Sequence, residues 1–124
     1  NILFDADKDI YMFADEFKIE EVVTNYISNA INHVNDFGEI KINIFDDGAN
    51  ICFNVYNTGN SIPQKDLNNV WEKFFKVDKA HSRAYGGSGI GLSIVKAIVE
   101  AHNGSVSVKN ISDGVEFGFM IPKV

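Results

Sequence analysis

Cysteine, proline and positive charge are all scarce in this sequence. One cysteine, two prolines and one tryptophan occur in 124 residues. A single thiol, Cys52, closes no internal disulfide and holds no zinc site alone. Its apolar neighbours Ile51 and Phe53 imply a buried thiol in a reducing compartment. No run of about 18 apolar residues is present, so nothing reads as a membrane-spanning helix. Eleven Lys and Arg against 17 Asp and Glu give a net charge of −6. That excludes a general nucleic-acid binder, which needs a basic patch, but leaves room for a local cationic cluster on one anionic ligand. The N-terminus has no basic segment and no initiator Met; it does not read as a signal peptide, and the chain reads as a piece of something longer.

Hydrophobic residues make up 45% and charged residues 23%, and ten phenylalanines can build a core. A chain of this length buries about two-thirds of its unfolded surface. Disorder, collagen-like repeats and disulfide scaffolds are excluded, and residues 1–124 are expected to form one domain.

Short apolar runs at Ile2 to Phe4 and Ile10 to Phe13 read as strands. Asp15 is placed to cap a helix. Ile19, Val22, Val23, Tyr26, Ile27, Ala30 and Val34 recur at helical spacing and predict an amphipathic helix over about 16–35, ended by Phe37-Gly38. Ile40, Ile42 and Ile44 alternate with polar or outward positions, Asp47-Gly48 signals a hairpin, and Ile51, Phe53 and Val55 form the partner strand. Period two then places Asn57 on the same inward face. Pro63 can open a short helix to about Phe74, and 76–89 lacks apolar periodicity. A broad apolar arc predicts a helix from Ile90 to His102, stopped by Asn103-Gly104. Val106 and Val108, a turn at Asp113-Gly114, and Val115, Phe117, Phe119 and Ile121 complete a hairpin. The expected fold is α+β: a two-layer sandwich with a mixed, mainly antiparallel sheet of about five strands and about three helices on one face.

Three features call for chemistry. Asn25, Asn29 and Asn32 line one stripe of the long helix at the border of its apolar face. Asparagine is a poor helix former. The stripe is either a solvated flank or the polar wall of a pocket, where a neutral amide oxygen suits Mg²⁺ once phosphates supply the negative charge. Gly86-Gly87-Ser88-Gly89-Ile90-Gly91 opens a helix. Such a run is either a hinge or a cradle for phosphate oxygens at a helix N-terminus. It is neither the lysine-bearing P-loop nor a Rossmann fingerprint. Asn57-Thr58-Gly59-Asn60-Ser61-Ile62-Pro63 is a turn with a cap, or a site where the Asn57 amide pairs with a ring nitrogen and an exocyclic amine.

In order and spacing these segments resemble the catalytic ATP-binding domain of bacterial two-component sensor histidine kinases. That domain belongs to a superfamily shared with heat-shock chaperones, type II topoisomerases and mismatch-repair proteins. The resemblance covers essentially the whole chain and implies a Bergerat-type ATP-binding fold. By analogy, Asn29 coordinates Mg²⁺ and Asn25 supports the phosphates. Asn32 and His33 complete the asparagine box. Asn57, Gly59 and Ile62 lie in the first glycine box, with Asn57 reading adenine. Phe74-Phe75 is the phenylalanine box. Gly87, Gly89, Ile90, Gly91 and Leu92 belong to the second glycine box. Residues 76–88 would form a lid, with Lys76 and Arg83 as its cations. Asn25 and Lys76 are the expected catalytic residues, and ATP and Mg²⁺ the expected ligands.

The pattern departs from the family at four positions. Asn57 stands for the usual Asp, Asn32 for a Lys, His33 for a Tyr and Val115 for a Thr. Asn57 and Asn32 remove a charge and Val115 a polar contact, while His33 could still stack on or border the base. Superfamily members that hydrolyse ATP carry a Glu as general base one turn before the metal-binding Asn. Here that residue is Asn25, whose amide accepts no proton, while Glu21 lies two turns away. The resemblance therefore implies γ-phosphoryl transfer to a histidine rather than efficient hydrolysis. None of His33, His81 and His102 sits in an acceptor motif, so the acceptor is expected on a separate dimerisation domain. The expected partners are that domain and a downstream response regulator, with no nucleic acid and no membrane contact by this domain. The parent protein is expected to be anchored in the cell membrane, with this domain in the cytoplasm. An ATPase or degenerate switch of the same superfamily, or an anti-sigma-type serine kinase, remains the alternative.

Overall fold

A computed structural model describes residues 2–6, 14–72 and 91–123. Their elements are β1 (Ile2–Ala6), α1 (Glu16–His33), β2 (Ile40–Asp46), β3 (Asn50–Thr58), one 3₁₀ turn (Gln64–Asp66), α2 (Gly91–Ala101), β4 (Ser105–Ile111) and β5 (Gly114–Pro122). The expected strand over 10–13 and the segment 76–90 lie outside the described residues.

Helix α1 starts where its cap dictates. The Asp15 carboxylate accepts the backbone N–H groups of Phe17 and Lys18 at 3.0 and 3.1 Å, satisfying two donors of the first turn. The helix ends at His33, before the expected 35 and before Phe37-Gly38. The chain leaves because Thr58 captures Asn35. The Asn35 N–H donates to the Thr58 carbonyl, and the Asn35 side-chain oxygen accepts from the Thr58 hydroxyl at 2.7 Å. In the turn that follows, Phe37 rather than glycine takes the left-handed conformation, at φ 60.

The five strands form one sheet in the order β1-β2-β3-β5-β4. Only β1 and β2 pair in parallel; the other neighbours are antiparallel. Ile42, Val55, Phe117 and Val108 share one row across β2, β3, β5 and β4. On this face the alternating apolar residues join Val22, Tyr26 and Ala30 of α1 and Val95, Ile98 and Val99 of α2 in a single core. Full burial of a Val, Ile, Leu or Phe side chain contributes about 1.5–3 kcal/mol, and this burial, set against chain entropy, is what holds the two layers together. Helix α2 packs against α1 and against β4 and β5.

The α+β sandwich with a mixed five-stranded sheet matches the expectation; the helix count does not. The described residues hold two α-helices. Where a third was expected after Pro63, there is a single 3₁₀ turn followed by i→i+3 bonds from Asn69 to Asp66 and from Glu72 to Asn69. The stretch Leu67-Asn68-Asn69 has weak helix formers at its centre. Cys52 is buried as expected, but on the opposite face of β3 from the core, paired in register with Phe45 and Met120. Desolvation, aided by the carboxylates of Asp47 and Asp46, raises its pKa, so the thiol stays protonated. No helix among the described residues is long and apolar enough to cross a membrane.

Candidate functional site

The three asparagines of α1 occupy three environments. Asn29 is 1% exposed, and its side-chain oxygen has no hydrogen-bond partner among the described residues. Asn25 is half-buried and its amide donates to the Glu21 carbonyl at 3.0 Å, one turn back. Asn32 is exposed. The stripe thus passes from half-buried through buried to exposed instead of bordering the core evenly.

Tyr26 explains why Asn29 faces in. Its hydroxyl donates to the Gly118 carbonyl of β5 at 2.7 Å. Its ring lies 5.8 Å from Phe117 and 6.3 Å from Phe119. Burial raises the Tyr26 pKa far above its ordinary value, so the hydroxyl remains a donor. This anchor fixes the rotation of α1, and Asn29, one turn on, turns inward with it. A buried carbonyl left unpaired costs about 1–3 kcal/mol. Such an atom fits a ligand that supplies the missing partner, and a neutral oxygen suits a hard divalent cation.

Asn57 closes β3 on the core face, 3% exposed, as period two predicts. It lies between Ile40 and Val115 in register, and its amide donates to the Thr58 carbonyl at 3.1 Å. Gly59 follows at φ 146, and a Cβ there would stand 2.6 Å from the His33 carbonyl oxygen. Only glycine lets the first glycine box press this closely on the end of α1. His33, half-buried, therefore borders the box through its backbone. The Gly59 N–H donates to Asp113 at the β4–β5 turn.

Ile62 is 1% exposed, with its side chain in the core. Of the second glycine box, Gly91 and Leu92 are described, and both are buried in the first turn of α2. The Leu92 side chain belongs to the core, so any contact with a ligand falls to its backbone. Phe75, Lys76, Arg83, Gly87, Gly89 and Ile90 lie outside the described residues. The structure brings the end of the asparagine box against the first glycine box, and α2, which carries the end of the second, against α1.

Residues 14–124 match the model of the histidine kinase-, DNA gyrase B- and HSP90-like ATPases. The chain belongs to this family. Sensor histidine kinase WalK of Bacillus subtilis is 35% identical over 119 residues, covering 94% of this chain and 20% of WalK. Sensor-like histidine kinase SenX3 of Mycolicibacterium smegmatis is 36% identical over 124 residues, covering 99% of this chain and 32% of SenX3. The chain spans about a fifth to a third of the length of these curated relatives. A nucleotide-free catalytic domain of histidine kinase ThkA superposes with a TM-score of 0.87 at 33% identity, over 99% of this chain and 78% of that one. The five-stranded α+β sandwich is therefore a histidine kinase catalytic-domain fold, and the chain is an ATP-binding domain of that type.

Within this ATPase domain, residues to which the sequence pattern assigned no role also build the site. Thr58 serves both glycine box and helix end, since its hydroxyl also accepts the Glu39 N–H at 2.9 Å. Asn110 of β4 holds both backbone groups of Ile62. The one trace of it in the sequence is a polar residue where the alternation Val106, Val108 would continue. The Tyr26 hydroxyl left no trace, because tyrosine at that position reads simply as apolar.

His102 sits at the end of α2, where the helix dipole favours a cation. Its Nε2 instead accepts the Asp15 N–H at 3.1 Å, and its Nδ1 lies 2.8 Å from the Ile98 carbonyl. That arrangement needs the neutral ring with its proton on Nδ1. His102 ties the cap of α1 to the end of α2. Trp71 packs edge-on against Phe117 at 5.7 Å, a core contact.

Proposed function

We propose that this chain is the catalytic domain of a sensor histidine kinase and passes the γ-phosphoryl group of Mg-ATP to a histidine of a dimerisation domain in the same protein. One observation carries the proposal: a buried amide oxygen at Asn29, unpaired among the described residues, in an ATPase fold. Membership of the family and the sensor-kinase relatives support it.

In this proposal the base lies against Asn57, whose amide keeps its oxygen as an acceptor and one N–H as a donor beside the bond to Thr58. Gly59 and Ile62 shape the floor beneath it. Asn25 and Asn32 flank the phosphates from α1, with His33 at the rim. Lys76, Arg83 and the N–H groups around Gly87, Gly89, Ile90, Gly91 and Leu92 would offset phosphate charge, and Phe75 is assigned to the site by its place in the phenylalanine box. Mg²⁺ would be held through Asn29 and, when bound, would neutralise charge on the phosphate oxygens. A cation is needed on local grounds as well. Asn25 lines an open concavity of about 420 Å³ with Phe17, Glu20, Glu21 and Thr24, and those two carboxylates would repel an uncompensated anion.

Transfer of this kind rests on positioning and charge stabilisation. An imidazole nitrogen attacks the γ-phosphorus, the bond to the bridging oxygen breaks, and ADP departs with that oxygen. Asn25 takes no proton from water, so hydrolysis finds no base there. A response regulator would then accept the phosphoryl group; one ThkA structure, 31% identical, is a complex with the response regulator TrrA. Anchoring of the parent protein in the cell membrane, with this domain on the cytoplasmic side, belongs to the same proposal.

The test is autophosphorylation of the full-length protein with labelled ATP and Mg²⁺. Asn29→Ala and Asn29→Asp are expected to abolish it. Undiminished labelling in both would remove Asn29 from the site.

A further inference from the structure

We propose that Asn110 is a positioning residue that sets affinity for the nucleotide base by clamping the first glycine box; this rests on the assignment of Asn57 to the base. The Asn110 side-chain oxygen accepts the Ile62 N–H at 2.9 Å, and its amide donates to the Ile62 carbonyl at 2.8 Å. The two residues are 48 apart in sequence. One side chain thus satisfies both backbone groups of one residue, as a neighbouring strand would.

The register shows what the clamp controls. Asn57, Val115 and Asn110 occupy one row across β3, β5 and β4. With strands about 4.8 Å apart, the two asparagines stand about 10 Å apart on either side of Val115. The first glycine box leaves the row at Asn57 and returns to it at Ile62. Its near end is held by the β3 ladder and by Gly59 against His33. Its far end is held by the buried Ile62 side chain and by Asn110. A methyl in place of the Asn110 amide leaves the core unchanged but frees the Ile62 backbone to rotate. The loop that floors the base then shifts, while α1 and its asparagines do not.

Asn110 is itself exposed, so Asn110→Ala removes no core contact and the variant folds. In the full-length protein, the KM for ATP in autophosphorylation is expected to rise about 3- to 10-fold, the range for one or two lost hydrogen bonds. The kcat at saturating ATP stays within about twofold, because the transferred phosphoryl group lies at the other end of the nucleotide. Asn110→Ser, too short to reach Ile62, follows Asn110→Ala and shows that polarity alone does not suffice. An unchanged KM, with or without a lower kcat or melting temperature, overturns the proposal and leaves Asn110 a stitch in the fold. Direct titration of Mg-ATP onto the wild-type chain separates the two levels. Binding there with no loss in Asn110→Ala overturns the clamp alone; no binding in the wild type overturns the functional proposal with it.

Discussion

Replacing Asn29 by leucine should move stability and function in opposite directions. The two side chains have equal numbers of heavy atoms and nearly the same shape. Asn29 is 1% exposed and its oxygen is unpaired among the described residues. Removing that oxygen relieves about 1–3 kcal/mol of desolvation without a partner. Fitting two methyls where an amide stood costs up to about 1.5 kcal/mol. The balance favours the variant by about 1 kcal/mol, roughly 3–6 °C in melting temperature for a domain of this size. The assay is thermal unfolding of the nucleotide-free chain, followed by the same melt with Mg-ATP. The wild type should gain stability from Mg-ATP by mass action, and Asn29→Leu should gain none. A fall of several degrees in the nucleotide-free variant would refute the reasoning, because the Asn29 amide would then be a structural bond-maker and not a reserved ligand.

Other outcomes follow from the same contacts. Tyr26→Phe removes the hydroxyl's bond to the Gly118 carbonyl and should cost about 0.5–1.5 kcal/mol in denaturant unfolding; a change below 0.5 kcal/mol, the scale of a neutral surface substitution (~0.5), would remove Tyr26 as the anchor of α1. Phe37 is fully exposed and left-handed at φ 60, so Phe37→Gly should raise stability by up to about 1 kcal/mol, read as a higher melting temperature. The Asp47 carboxylate accepts the N–H groups of Asn50 and Ala49 in the β2–β3 hairpin, and these bonds, that from Asn50 first, lower its pKa. Its contribution is complete above the unfolded carboxyl's pKa and is lost as pH falls through the lower folded value. Asp47→Ala should therefore narrow its stability deficit toward acid pH; a deficit constant from pH 6 down to pH 2, a span bracketing the ordinary carboxyl range near ~4, would contradict that.

Local signals carried further than expected in some places and failed in others. The inward aim of Asn57 followed from strand period alone, because β3 is flanked on both sides and its faces are sharply unlike. The Asp15 cap was legible because capping is a contact between neighbours in sequence. The graded burial of Asn25, Asn29 and Asn32 was not legible, since it depends on the rotation set by Tyr26 reaching a carbonyl 92 residues away. The link of Asn110 to Ile62 and that of Asn35 to Thr58 are equally non-local. Helix α1 stops short of its pattern for the same reason: apolar spacing continues to Val34, but a strand partner captures Asn35. After Pro63 the pattern allowed a helix, and the bonding chosen was i→i+3. Boxes are short and local; what aims them is tertiary.

The most direct measurement is calorimetric titration of ATP onto the 124-residue chain, with Mg²⁺ and again with EDTA. Saturable one-to-one binding is expected with Mg²⁺, strongly weakened by EDTA and weakened by about 1–3 kcal/mol in Asn57→Ala. Binding of equal strength with and without the metal, or none at millimolar nucleotide (about 4 kcal/mol of binding free energy), would contradict a site built from an asparagine-bearing helix and glycine boxes around metal-complexed ATP.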